Sequence, residues 1–142
     1  MRFRRTTVAL AVLALVATSC GKAEHVAAPA EAPFSDLTYE QALERAREQG
    51  RVLLLDFTAS WCPPCRAMEE STWPDSDVQD WIAREAVAIQ VDVDREGELS
   101  ASMRVSSIPT IVFLDTKGTE LGRFTGYKDP AQFLAEAAKH VD

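Results

Sequence analysis

The residues best suited to chemistry in this chain are the cysteines of Trp61-Cys62-Pro63-Pro64-Cys65. Two residues between them would put both sulfurs on one helical turn, within bonding distance. At the start of a helix the first sulfur meets the positive end of the dipole, which favours the thiolate, the nucleophilic form. The second is set back to attack a mixed disulfide once one exists. Pro63 and Pro64 fix φ and carry no N–H, so two donors that could solvate the Cys62 thiolate are missing. A less stabilised thiolate gives electrons away more readily, and no histidine between the cysteines pushes the other way. Two blander readings stand beside this one. An inert disulfide would be a poor staple, because so short a loop removes little unfolded-chain entropy. Half of a zinc site would need two more ligands, and outside the pair the chain offers only His25, His140 and Cys20. Both histidines read as solvated surface residues.

Asp56 lies six residues before Cys62 in an otherwise apolar run, Val52 to Phe57. A carboxyl group buried there has a raised pKa and can take a proton near neutrality. The alternative is an aspartate at a strand end that reaches water. Asp92-Val93-Asp94-Arg95-Glu96-Gly97 imitates the start of an EF-hand loop, but its twelfth position is Met103 and it follows a strand, so it reads as a solvated acidic turn.

The elements that must position these residues follow from periodicity. Thr38 can cap a helix with Tyr39, Ala42, Leu43 and Ala46 on one face, stopped by Gly50. The run from Val52 reads as a central strand covered on both sides, followed by a helix from about Pro64 to Glu70. Pro74 to Glu85 reads as a helix, Val87 to Val93 as an alternating strand, and Glu98 to Met103 as a weak helix. Thr110 to Leu114 and Glu120 to Phe124 form a hairpin through Thr116-Lys117-Gly118. Asp129 to Lys139 closes the chain as a helix, with Pro130 near its first position. Helices alternating with strands, then a late hairpin, predict a three-layer α/β domain with a mixed sheet.

Ahead of that domain, Arg2, Arg4 and Arg5 precede an apolar stretch from Val8 to Ala17, ending in Thr18-Ser19-Cys20. This pattern reads as an export signal, too short to span a membrane. Ala17-Thr18-Ser19-Cys20 resembles the lipobox of bacterial lipoproteins, with Ala17 where that family usually has Leu. The resemblance implies a signal at 1–19, cleaved before a lipidated Cys20. Residues 20–33, small, polar and proline-bearing, read as a flexible spacer, and 34–142 as the folded domain. With 46% hydrophobic and 26% charged residues among 142, one core is expected. The net charge of −7, near −10 without the three leader arginines, argues against nucleic acid as a partner.

Leu55-Asp56-Phe57-Thr58-Ala59-Ser60-Trp61-Cys62-Pro63-Pro64-Cys65-Arg66 resembles the strand-to-active-site stretch of the thioredoxin family. Ser107-Ile108-Pro109-Thr110 resembles its cis-proline loop, and Gly126 falls where the family has a glycine near the site. The likeness covers nearly all of residues 50–140. It implies the thioredoxin-like three-layer α/β/α fold with a central mixed β-sheet, and a thiol-disulfide oxidoreductase that needs no cofactor. Cys62 would attack, Cys65 would resolve, and Asp56 would deprotonate Cys65. Pro109 would be cis and pack on the disulfide, the Ile108 backbone would pair with an extended substrate segment, and Trp61 would face the partner. Without the resemblance, a trans proline at a strand edge is the ordinary reading of Pro109. Where the family often sets a lysine opposite the buried acid, the nearest match here is Gln90.

Glu69-Glu70-Ser71-Thr72-Trp73 and the acidic strand ending at Asp94 are similar to the C-terminal domain of the membrane thiol-disulfide interchange proteins and to exported relatives. The implied protein is a membrane-anchored lipoprotein of the bacterial envelope, facing the periplasm or the exterior. Its clients would be disulfide-containing exported proteins. Such compartments are kept oxidising, so a reductant there needs a membrane electron donor. Two other functions fit the same residues: a disulfide oxidase or isomerase, and a non-catalytic binding module or copper(I) carrier using two soft thiolates.

Overall fold

Every layer of the structure is built on the apolar run that becomes β1, Val52–Thr58. The computed structural model describes residues 33–141; the basic and apolar leader, Cys20 and nearly all of the proposed spacer lie outside the described residues. Thr38 caps α1, Tyr39–Gln49, through a capping box with Gln41, and Gly50 ends it at φ 63°. Only a glycine adopts that left-handed angle without cost. After β1 come α2, Pro63–Ser71, and α3, Ser76–Glu85. The helix read from Pro74 starts two residues later. Asp75 is extended, and its carboxylate accepts the Asp77 and Val78 N–H groups at 3.0 and 3.2 Å, leaving Pro74 in the preceding turn. Next follow β2, Ala86–Asp92; α4, Gly97–Ser102; β3, Thr110–Leu114; β4, Glu120–Thr125; and α5, Pro130–Ala137, capped by Asp129.

The four strands lie in the order β2-β1-β3-β4, with β1 parallel to β2 and antiparallel to β3, and β3 antiparallel to β4. The sheet is therefore mixed, as the element order predicts. Alternate residues of the strands feed two cores. One face carries Leu53, Leu55, Val87, Ile89 and Val91 under Ala42 and Ala46 of α1. The other carries Leu54, Ala88, Ile111 and Phe113 under Met68 of α2, Trp81 of α3 and Phe133 of α5. Three layers result, with β1 covered on both sides and its C-terminal end delivering the chain to α2. Among the described residues, no helix is long and apolar enough to cross a membrane.

One sequence expectation needs correcting. His140, read as a solvated surface residue, is half-buried, with its ring against Phe113 at 4.7 Å between centroids. The ring occupies the space that a side chain at residue 122 would need, which explains the glycine there.

Candidate active site

Cys62 is the N-cap of α2, extended at φ −90° and ψ 107°, with Pro63 and Pro64 as the first helical residues. Proline suits that place because its φ is already helical and no intrahelical partner awaits its missing N–H. The first amide of the turn is therefore that of Cys65, and it donates to Cys62 Sγ at 3.3 Å. Cys62 and Cys65 form a disulfide with 5.3 Å between their Cα atoms. Both residues are buried, in a small cluster with Ala59 against which Val93 and Ile108 pack. One backbone donor and a helix N-terminus face the Cys62 sulfur, so the protein supplies some stabilisation of a thiolate there, less than a helix with three free amides would give.

Asp56 sits within β1 on the face covered by α2, 3% exposed. Its strand neighbour in register is Gln90 of β2, whose Nε2 donates to Asp56 Oδ2 at 3.1 Å. Burial raises the carboxyl group from its ordinary 3.8 to about 7. The Gln90 hydrogen bond opposes that rise, the Glu69 carboxylate of α2 adds to it, and the Trp73 side chain contributes a weaker opposing hydrogen bond. The carboxyl group is thus poised to gain or lose a proton near neutrality.

Around the disulfide, three segments meet. Trp61 is 62% exposed, and its indole N–H donates to Asp94 Oδ2 at 2.8 Å in the turn after β2. The Ile108–Pro109 bond is cis. Pro109 is buried, and its carbonyl accepts the Gly126 N–H at 2.8 Å; Gly126 holds φ 90°, open to glycine and strained for other residues. The Thr110 hydroxyl donates to the Ser107 carbonyl at 2.7 Å and lies 2.9 Å from the Thr125 hydroxyl, so the proline loop is pinned to β4. Beside it, the Tyr127 hydroxyl lies 3.2 Å from Ser71 Oγ at the end of α2, and Thr72 donates to the Lys128 carbonyl at 2.6 Å.

Of the residues singled out from sequence, Cys62, Cys65 and Ile108 share one cluster, Trp61 and Pro109 adjoin it in the chain, and Asp56 lies in the strand behind. Cys20 falls outside the described residues. Sequence reasoning did not assign Asp94 as the partner of Trp61, nor Trp73 as a neighbour of the acid. Gln90 carried a visible signal, being a polar residue flanked by Ile89 and Val91 in a strand whose other polar residue, Asp92, is its last. Among the described residues, no cluster of three or more His, Cys, Asp or Glu could hold a metal ion.

Comparison with known proteins adds the following. A family model described as a thioredoxin-like domain matches residues 39–140. The thiol:disulfide interchange protein DsbD of Yersinia pestis is 36% identical over 108 residues, 72% of this chain and 18% of that protein. The DsbD of Salmonella typhi is 34% identical over 116 residues, 76% of this chain and 20% of the relative. The chain thus spans about a fifth of the length of these curated relatives. Among solved structures, a thioredoxin from Thermus thermophilus has a TM-score of 0.65 at 33% identity, over 71% of this chain and 82% of the other. A DsbH oxidoreductase has a TM-score of 0.69 over 78% and 86%, and at 23% identity it speaks for the fold alone.

Proposed function

This chain belongs to the thioredoxin-like family and carries its thiol-disulfide oxidoreductase chemistry; from that premise we propose that it is a membrane-tethered reductase of disulfides in exported proteins. The observation that carries the reading is the Cys62–Cys65 disulfide at the head of α2 with a buried carboxyl group, poised near neutrality, in the strand behind it.

In the reduced protein, the Cys62 thiolate attacks one sulfur of a client disulfide. A mixed disulfide forms, the client S–S bond breaks, and the released client thiolate takes a proton from water. Asp56 accepts the proton of Cys65, whose thiolate then attacks Cys62 Sγ. The mixed disulfide breaks, the second client sulfur leaves and is protonated, and the Cys62–Cys65 bond remains. Two electrons pass to the client, and an external electron donor must return them. The backbone of Ile108 beside cis-Pro109 offers an edge to an extended client segment, with the exposed Trp61 on its flank.

Three features support the reducing direction: similarity to DsbD, Pro63 and Pro64 in place of amide donors at the helix start, and the single Cys65 N–H left to Cys62. Tethering rests on the basic and apolar leader ending at Cys20, with residues 1–19 as the cleaved signal, 20–33 as the spacer and 34–142 as the domain. Clients are disulfide-bearing exported proteins, and the electrons come from a membrane electron donor of the bacterial envelope.

The reduction potential of Cys62–Cys65 tests the direction. The chain carrying Cys20→Ser, equilibrated against glutathione and dithiothreitol buffers, is expected at about −230 mV or below. A value near −180 mV or above reverses the assignment to oxidation or isomerisation. Cys20→Ser in the cell tests the tether, and is expected to move the protein from the membrane to the soluble fraction.

A further inference from the structure

The buried acid has a cover that its own strand does not supply. β2 is an edge strand, and the segment before α1 runs along it: the Ser35 N–H donates to the Ala88 carbonyl at 2.8 Å. That bond brings the preceding residue, Phe34, onto Trp73, edge to face, with ring centroids 5.1 Å apart at 89°. Trp73 also meets Phe133, edge to face, at 5.1 Å and 83°. Trp73 and Gln90 are the two side chains that hydrogen-bond Asp56. Outside them lies a cavity of about 250 Å³, lined by Phe34, Glu69, Trp73, Pro74 and Gln90 among others. Asp56 does not line that cavity, whereas Trp73 and Gln90, the two side chains bonded to it, do, and the Phe34 ring packs on the indole.

We propose that Phe34 is a positioning residue for the proton-transfer step, its ring locking Trp73 as a lid that keeps Asp56 out of water. This rests on the reading of Asp56 as the proton acceptor for Cys65. The other groups facing Asp56 leave the lid in control. Glu69 of α2 is the charged group that acts on it, Gln90 of β2 is neutral, and its β3 register partner Ile111 is apolar. Asp92, two residues past Gln90, is engaged by the Asp94 N–H and by Arg95. Loosening Trp73 removes a weak hydrogen bond, which raises the pKa, and admits water, which lowers it. Desolvation is the largest influence on this carboxyl group and the Trp73 hydrogen bond the smallest of the four, so the net shift expected on loosening is downward.

The test follows the Asp56 carboxyl carbon by NMR titration in the full oxidised chain, alongside the pH profile of disulfide reduction with insulin as the probe substrate. Phe34→Ala is expected to lower the titration midpoint by at least about half a unit, and the acid limb of the rate profile by the same amount. Phe34→Tyr, which keeps the ring, is expected to leave both in place. Should Phe34→Ala not fold, Phe34→Leu carries the same test, because it keeps apolar volume and loses the ring edge. A melting temperature that falls while the Asp56 midpoint stays fixed overturns the proposal and reduces Phe34 to core packing. Asp56→Asn separates the two claims. If it leaves the acid limb intact, the role of Asp56 as proton acceptor fails, and the titration still judges the lid.

Discussion

The two faces of the sheet hold different kinds of core. Under α1 the packing is mostly aliphatic, with Leu53, Leu55, Val87, Ile89 and Val91 around the buried ring of Phe57. Under α2, α3 and α5 it is aromatic, with Trp73, Trp81, Phe113, Phe124 and Phe133 in a chain of edge and tilted contacts. Asp56 lies on the aromatic face. An aliphatic core offers a buried carboxyl group no hydrogen-bond donor, so an acid placed there would be unpaired as well as desolvated. Trp73 brings apolar bulk together with an N–H, and Gln90 at the sheet edge supplies an amide while its outer side remains in solvent. On the aromatic face, then, the buried carboxyl group is kept dry and still paired, because the packing around it carries polar handles.

The largest expected effect concerns the disulfide at the head of α2. Cys62→Ser should lower disulfide turnover by about three orders of magnitude or more. Cys65→Ser should keep the first attack and accumulate mixed disulfides, visible on non-reducing gels; a Cys62→Ser protein that still turned over would remove the reaction from this site altogether.

Next comes the acid itself. Its pKa is raised on folding, from 3.8 to about 7, so the folded protein holds this proton more tightly than the unfolded chain. Its contribution to stability is intact below pH 4 and is lost as the pH rises through 7. Above that, the ionised carboxylate costs roughly 4 kcal/mol. Asp56→Asn should therefore stabilise the oxidised protein by up to that amount at pH 8–9 and by almost nothing at pH 4, in paired denaturant titrations. A gain independent of pH would mean that the carboxylate is not what the aromatic face is straining to hold.

A matched pair then asks whether the faces differ in function as well as composition. Phe133→Ala and Leu55→Ala should each cost about 3 kcal/mol, because both side chains are fully buried. Only Phe133 touches Trp73, so only its loss should shift the acid limb of the rate profile. Equal shifts from both would erase the distinction drawn here. The smallest effect belongs to the rim: Trp61→Phe gives up an exposed hydrogen bond to Asp94 and should change stability by less than about 0.5 kcal/mol. Its consequence should appear instead as a raised KM for protein disulfides with kcat nearly kept.

Much of this was legible along the chain. Thr38 and Gly50 bracket α1 where the sequence puts its cap and its stop, and the start of α2 at Cys62-Pro63-Pro64 follows from the fixed φ of proline. The start of α3 is ambiguous along the chain, because Pro74 suits a first helical position as well as a turn, and only the Asp75 carboxylate, bonded to Asp77 and Val78, decides between them. His140 was misread because nothing near it in sequence announces Phe113.

What depends on neighbours in the chain can be read along it: the cysteine spacing, the caps, the strand runs and their alternation. These are local, since a helical turn or a pleat involves residues no more than four apart. Tertiary structure decided what depends on partners far away. Gln90 reaches Asp56 across 34 positions, Phe34 reaches Trp73 across 39, and Gly126 meets Pro109 across 17. Whether a carboxyl group is an ordinary acid or one poised near pH 7 turns on how much water those partners exclude, and that is a property of the assembled layers rather than of any stretch of chain.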